Sequence, residues 1–133
     1  MTTLRLVSNL PPGLEDLVTR TIGALLAVHR ELGSGMSEAV YAAAARVELT
    51  ALGIPFESEK ICPVRYREVV LCHQRIDLFV DQQLVVELKS VERLHAVHVA
   101  QTVSYLRLTG TRVGLLVNFN VPILRHGIRR VVL

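Results

Sequence analysis

Residues 84–91 read LVVELKSV, and the rest of the chain turns on how this run is read. In an extended strand Val85, Glu87, Lys89 and Val91 share one face, while Leu84, Val86, Leu88 and Ser90 share the other. An acid and a base thus lie side by side among valines. Burying ions beside apolar side chains is costly unless they pair, bind a metal or line a cleft, so this strand needs a partner.

The preceding run, residues 69–80 (VVLCHQRIDLFV), is also strand-like, and Asp81-Gln82-Gln83 separates the two. A three-residue turn there pairs Val80 with Leu84 and sets Asp77 across from Glu87. A two-residue turn at Gln82–Gln83 would pair Asp77 with Leu88 instead, but it lacks the Gly or Asn that such turns prefer. In the favoured register two carboxylates face each other, which destabilises a hairpin unless a cation lies between them. An oxygen-rich pair of this kind suits Mg2+, which keeps several waters of its own. Lys89, one step along the same face, is placed to orient a bound water or to offset charge developing on a phosphate. The choice of lysine is pointed, because the chain has 13 arginines and only Lys60 and Lys89 as lysines. Spacing alone leaves an alternative open: a solvated sheet face on which Glu87 pairs with Lys89, or Asp77 with Arg75.

Around this hairpin the chain reads as one α/β domain. Pro11 and Pro12 open an amphipathic helix whose apolar positions, from Leu14 to Leu32, recur every three or four residues and stop at Gly33. A second helix, rich in alanine, runs from about Ser37 to Gly53. Strands are predicted at about 60–66, 69–80 and 84–91, a third helix at about 96–108, a buried strand at 112–119 and a last edge strand at 128–133. The order is α-α-β-β-β-α-β-β, with residues 13–133 as the domain and 1–12 as an N-terminal extension.

With 133 residues, half of them hydrophobic, the chain can build a single core and is not a disordered segment. Its apolar runs are too short to cross a bilayer and its N-terminus lacks a signal-peptide pattern, so the expectation is a cytoplasmic protein without a membrane partner. Cys62 and Cys72 have no metal-site spacing and are read as reduced thiols, with a pairing across the hairpin as the alternative. Charge is informative by position. After Glu92 the remaining 41 residues contain no Asp or Glu but six arginines, whereas the first 92 carry nine basic and twelve acidic side chains. A basic tail of this kind points to a polyanion, with Arg107, Arg112, Arg125, Arg129 and Arg130 as candidate nucleic-acid contacts, or else to a solvated arginine surface.

Asp77, followed after nine residues by Glu87-Leu88-Lys89, resembles the signature of the PD-(D/E)XK nuclease superfamily. A more specific likeness precedes it: GMSEAVY, residues 35–41, resembles the GxxExxY motif of a small bacterial family within that superfamily. The resemblance continues through VELKSVERL (86–94), HVAQTVSYLRLTG (98–110), VGLLVNFNVP (113–122) and GIRRVVL (127–133). It implies a restriction-endonuclease-like α/β fold, with a mixed sheet of about four core strands flanked by helices. Asp77 and Glu87 would be ligands to Mg2+ or Mn2+, Leu88 would add its backbone carbonyl, and Lys89 would be the catalytic lysine. Glu38 would be the acid donated by a preceding helix. Gln101 and Tyr105, with His98 one turn earlier, resemble the QxxxY motif of the exonuclease-like branch. Gln101 would orient Lys89 or a phosphate, and Tyr105 would bond or stack near the scissile nucleotide. Ile76 stands where the superfamily's name has proline, and Val99 stands where members of the small family often carry an acid. The implied activity is hydrolysis of phosphodiester bonds in nucleic acid, DNA in preference to RNA. The rivals are a non-catalytic nucleic-acid binder and an interaction protein that uses its hydrophobic surface to form a homo-oligomer.

Overall fold

The computed structural model describes residues 10–133, so most of the expected N-terminal extension lies outside the described residues. Helix α1 spans Pro12–Leu32, with Pro at its first turn, where a missing N–H costs nothing, and Gly33 at its end. Helix α2 spans Glu38–Ala51, and the Ser37 side chain caps it by accepting from the Val40 N–H. Strands β1 (Phe56–Tyr66) and β2 (Val69–Val80) form a long hairpin, and β3 (Leu84–Lys89) follows. Helix α3 (Ala96–Thr109) crosses over to β4 (Val113–Asn118), and β5 (Ile128–Val132) ends the chain after a short 3-10 turn, Leu124–Gly127. Among the described residues, no helix is long and apolar enough to cross a membrane.

The five strands lie in the order β1-β2-β3-β4-β5, antiparallel except for the parallel β3–β4 pair that α3 connects. The expected element order holds; the sheet has five strands rather than about four, and β5 is an edge as expected. Two apolar clusters fill the two faces. Leu84, Val86 and Leu88 of β3 pack under α1 and α2, whereas Val85 packs with Tyr105 and Leu106 of α3. The crossover helix sits tightly because β4 carries Gly114 beneath it. A Cβ added there would lie 3.1 Å from Thr102 and 3.2 Å from Leu106. Cys62 and Cys72 are both free, the first buried and the second exposed, and they are not opposite each other, since Cys62 pairs with Gln74 and Cys72 with Val64.

The loop before α2 is held from below. Gly35 adopts φ 103°, a left-handed conformation that a side chain would strain. The fully buried Tyr41 donates its hydroxyl to the Gly33 carbonyl and accepts from the Met36 N–H at 3.2 Å, while its ring stacks on Phe119 at 4.3 Å. Glu38 is thereby carried at a defined point on the first turn of α2. Because Tyr41→Phe removes both hydrogen bonds to this part-buried loop while leaving the stack intact, it should cost about 0.5–1.5 kcal/mol, the usual net worth of a hydrogen bond. Denaturant unfolding of the two proteins measures it, and an unchanged midpoint would remove the hydroxyl from this role.

Candidate active site

The hairpin register is the one that the turn chemistry favours. Val80 pairs with Leu84, Phe79 with Val85 and Leu78 with Val86. Asp81 and Gln82 take left-handed φ of 48° and 58°, and the Gln83 N–H returns to the Val80 carbonyl. Backbone pairing stops after Leu78–Val86, and side chains continue it. The Asp77 N–H donates to Glu87 Oε1 at 3.0 Å, and the Leu88 N–H donates to Asp77 Oδ2 at 2.8 Å. Each carboxylate is thus bonded to the opposite strand and held against the other.

Strand β2 also changes phase at this point. Strict alternation would place Ile76 and Leu78 on one face, yet Ile76 packs with Phe79 and Val85 under α3, whereas Leu78 and Val80 pack under α1 and α2. Opposite Asp77 the β1–β2 ladder skips one pair, between Ser58–Leu78 and Lys60–Ile76, and Glu59 adopts φ 52°. A non-glycine residue in that region stores strain of order 1 kcal/mol or more. The distortion frees Asp77 to line a small cleft of about 120 Å3 with Glu38, Ala39, Arg46 and the main chain at Leu88, whose own side chain is buried in the core.

The surface ion pairs considered as alternatives do not form among the described residues. Arg75 reaches Glu59 at 3.8 Å, and Glu87 is only 3% exposed. Burial first, and then the neighbouring Asp77 charge, push Glu87 up to about 8, so at neutral pH it keeps a proton. Burial also raises Asp77, against the lowering effect of the Leu88 N–H and the Lys89 charge, and Glu38 adds to the rise. Lys89 is half-buried at the end of β3, and its charge acts favourably on both acids. Beyond it, the buried Asn118 steadies the chain: its Oδ1 accepts from the Val91 N–H at 3.0 Å, and its Nδ2 donates to the Val91 carbonyl at 2.9 Å.

From the α3 side, Tyr105 closes the site. Its ring is 4% exposed, and its phenol is pushed up to about 12 by burial and then by the charges of Glu87 and Asp77, so it stays protonated and can donate. Gln101 lies on the same helix and lines a neighbouring groove with Tyr105; among the described residues no hydrogen bond joins it to Lys89. His98 is occupied at the start of α3, where its Nδ1 accepts from the His95 N–H at 2.9 Å. The arginines do not gather on one surface. Arg107 on α3 and Arg129, which alternates with the α3-facing Val131, lie on one side of the sheet. Arg130 turns to the other side and grips Glu15 of α1 with two bonds of 2.7 and 2.9 Å. Arg112 and Arg125 are exposed, before β4 and on the 3-10 turn.

Sequence reasoning missed Arg46, Glu59 and Asn118. Arg46 carried a signal, since Glu38, Ala42 and Arg46 recur every four residues on one helix face. Glu59 and Asn118 carried none, because both act through strands remote in sequence.

A buried Glu87 and a half-buried Asp77, each raised by burial and Glu87 further by the charge of Asp77, form an oxygen donor set that a divalent cation stabilises, so the residues fit a Mg2+-type ion. In the metal-free protein the folded pKa of Glu87 lies above the ordinary glutamate value of 4.5. Its contribution to stability is therefore complete below that value and is lost as pH rises through about 8. Glu87→Gln, which cannot ionise, should match the wild type near pH 5 and melt several degrees higher at pH 9 in chelator. Thermal melts across this range check it, and a difference independent of pH would contradict the buried proton.

No curated protein and no solved structure gives a significant match to this chain. A family profile does: it matches residues 15–131, which run from the first turn of α1 into β5 and include the Asp77, Glu87 and Lys89 constellation. With nearly the whole described fold inside that match, and two acids and a lysine converging at the end of β3, the chain belongs to the PD-(D/E)XK nuclease superfamily.

Proposed function

We propose that the protein is a Mg2+- or Mn2+-dependent nuclease that hydrolyses phosphodiester bonds in nucleic acid, with DNA as the first substrate to test, and that it belongs to the GxxExxY branch. The observation that carries the reading is the pair of cross-strand bonds that holds the Asp77 and Glu87 carboxylates together, with the Lys89 charge acting on both and Glu38 lining the cleft beside Asp77. The branch assignment is supported by the division of labour in residues 35–41, where Gly35 permits the turn, Tyr41 anchors it and Glu38 faces the cleft.

In this reading Asp77 and Glu87 hold the ion, the Leu88 carbonyl adds a ligand, and Glu38 contributes further negative charge at the cleft. A divalent ion bound there supplies an acidified water near neutral pH and positive charge against the phosphate. Lys89, with its main chain tied by the Phe119 N–H to its carbonyl at 2.9 Å, orients the attacking water and offsets charge developing at phosphorus. Tyr105 donates a hydrogen bond from its protonated phenol, and Gln101 contacts the substrate from the adjoining groove. Arg107, Arg112, Arg125 and Arg129 engage phosphates of the nucleic-acid backbone from their separate surfaces, giving salt-sensitive affinity with little sequence preference. Arg130 does so only on leaving Glu15.

Two outcomes follow. Mg2+ or Mn2+ at about 100 times its Kd should stabilise the fold by about 2.7 kcal/mol, because the ion binds only the folded state. The shift should vanish in Asp77→Ala, and equal shifts in both proteins would refute the metal assignment. Lys89→Ala should retain metal binding but lower single-turnover cleavage by about a hundredfold or more. Lys89→Arg should rescue little of it, since a guanidinium has a different shape and stays protonated. Equal rates in all three proteins would exclude Lys89 from the chemistry. Absence of cleavage by the wild type across linear, circular and single-stranded DNA and RNA would favour the non-catalytic binder.

A further inference from the structure

Only Leu78–Val80 of β2 pairs with β3, so the outer part of the β1–β2 hairpin continues past the sheet as a two-stranded arm. Its inner face looks across at α3, and between them lies a slot of about 410 Å3. Val64 and Cys72 form one wall and Leu108 the other; Gln74, Gln101 and Ser104 supply polar groups. The slot adjoins the acidic pair through Tyr105, which lines it and senses the charges of both Glu87 and Asp77. At its other end Arg107 and Leu108 are shared with a second groove of about 610 Å3, which Lys60 and Arg65 also line. No acidic side chain lines either groove. Lys60 is tied to Glu57 at 3.0 Å, but among the described residues Arg65 and Arg107 form no ion pair.

We infer that this groove takes one unpaired nucleic-acid strand, with a single base seated between Val64, Cys72 and Leu108 and the neighbouring phosphates on Arg107 and Arg65. The inference deepens the nuclease reading and rests on it for the position of the scissile bond. Apolar walls with a few polar groups are what a splayed base needs, since its faces seek apolar contact and its edge seeks hydrogen bonds. The cations on the acid-free extension complement the phosphates that follow that base. A slot of this volume between the arm and α3 has room for one nucleotide but not for the two paired strands of a duplex. The substrate class is therefore single-stranded nucleic acid, or a duplex end that has frayed.

The test is binding of a labelled single-stranded oligonucleotide and of a blunt hairpin duplex, in Ca2+ to suppress turnover, by the wild type, Ser104→Trp, Cys72→Trp and Val47→Trp. Ser104 and Cys72 are exposed residues on opposite walls of the slot, and Val47 is an exposed residue of α2 outside it. The wild type should prefer the single strand. Both slot-filling variants should weaken that binding by about fivefold or more, the loss expected when one base gives up its apolar contacts, with Val47→Trp unchanged. Arg107→Gln should lower the salt slope by about 0.7, one phosphate's worth for a single strand. Equal single-strand affinity in all four proteins, or a preference for the duplex, would overturn the inference. So would slot variants that split a dimer without changing strand affinity, since a second copy of the chain would then own the groove. Hydrolysis of bis(p-nitrophenyl) phosphate with Mn2+ needs the metal site but not the groove; its absence alongside the expected binding pattern would count against the nuclease reading alone.

Discussion

Everything at the candidate site depends on two carboxylates held where they repel each other. Asp77 and Glu87 are fixed by N–H groups of Leu88 and Asp77 itself, so neither can swing away to relieve the conflict. The unfavourable interaction is stored by the hairpin and, without a cation, is relieved by a proton on Glu87. A site that must bind a doubly charged ion gains from this arrangement, since the repulsion that weakens the empty protein is removed on binding.

The frame that bears this conflict is apolar on both sides. Helices α1 and α2 cover one face of the sheet and α3 covers the other, so β3 is buried along its length until Lys89. Parallel pairing of β3 with β4 brings Lys89 beside Asn118 at their carboxyl ends, where open α/β sheets commonly bind ligands. Phe119 and Asn118 then serve as supports, the first under Tyr41 and the second under Val91. These contacts join the loop that presents Glu38 to the strand end that presents Lys89.

The basic residues follow a different logic. Their concentration in the last third of the sequence reflects no single surface, because successive residues of β5 point to opposite faces. Arg130 is used to fasten the edge strand to α1. The cations that line the grooves beside α3 come from two elements remote in sequence, Lys60 and Arg65 from β1 and Arg107 from α3.

The sequence by itself determined the local elements and the chemistry at their ends. Pro11, Pro12 and Gly33 bound α1, Ser37 caps α2, and the Asp81–Gln83 turn sets Asp77 against Glu87. Each of these depends on residues a few positions apart, whose sterics and hydrogen bonds are the same in any context. Tertiary structure alone decided the phase slip at Asp77, since the period-two rule assumes an unbroken strand and the break involves Glu59 on the partner strand. Folding likewise brought Arg46 and Glu59 to the acidic cleft and joined Arg130 to Glu15 across 115 residues. It also opened the slot between the hairpin arm and α3. Such features arise where surfaces distant along the chain meet, and the depth at which α3 settles over Gly114 is set by packing, which no local pattern of residues encodes.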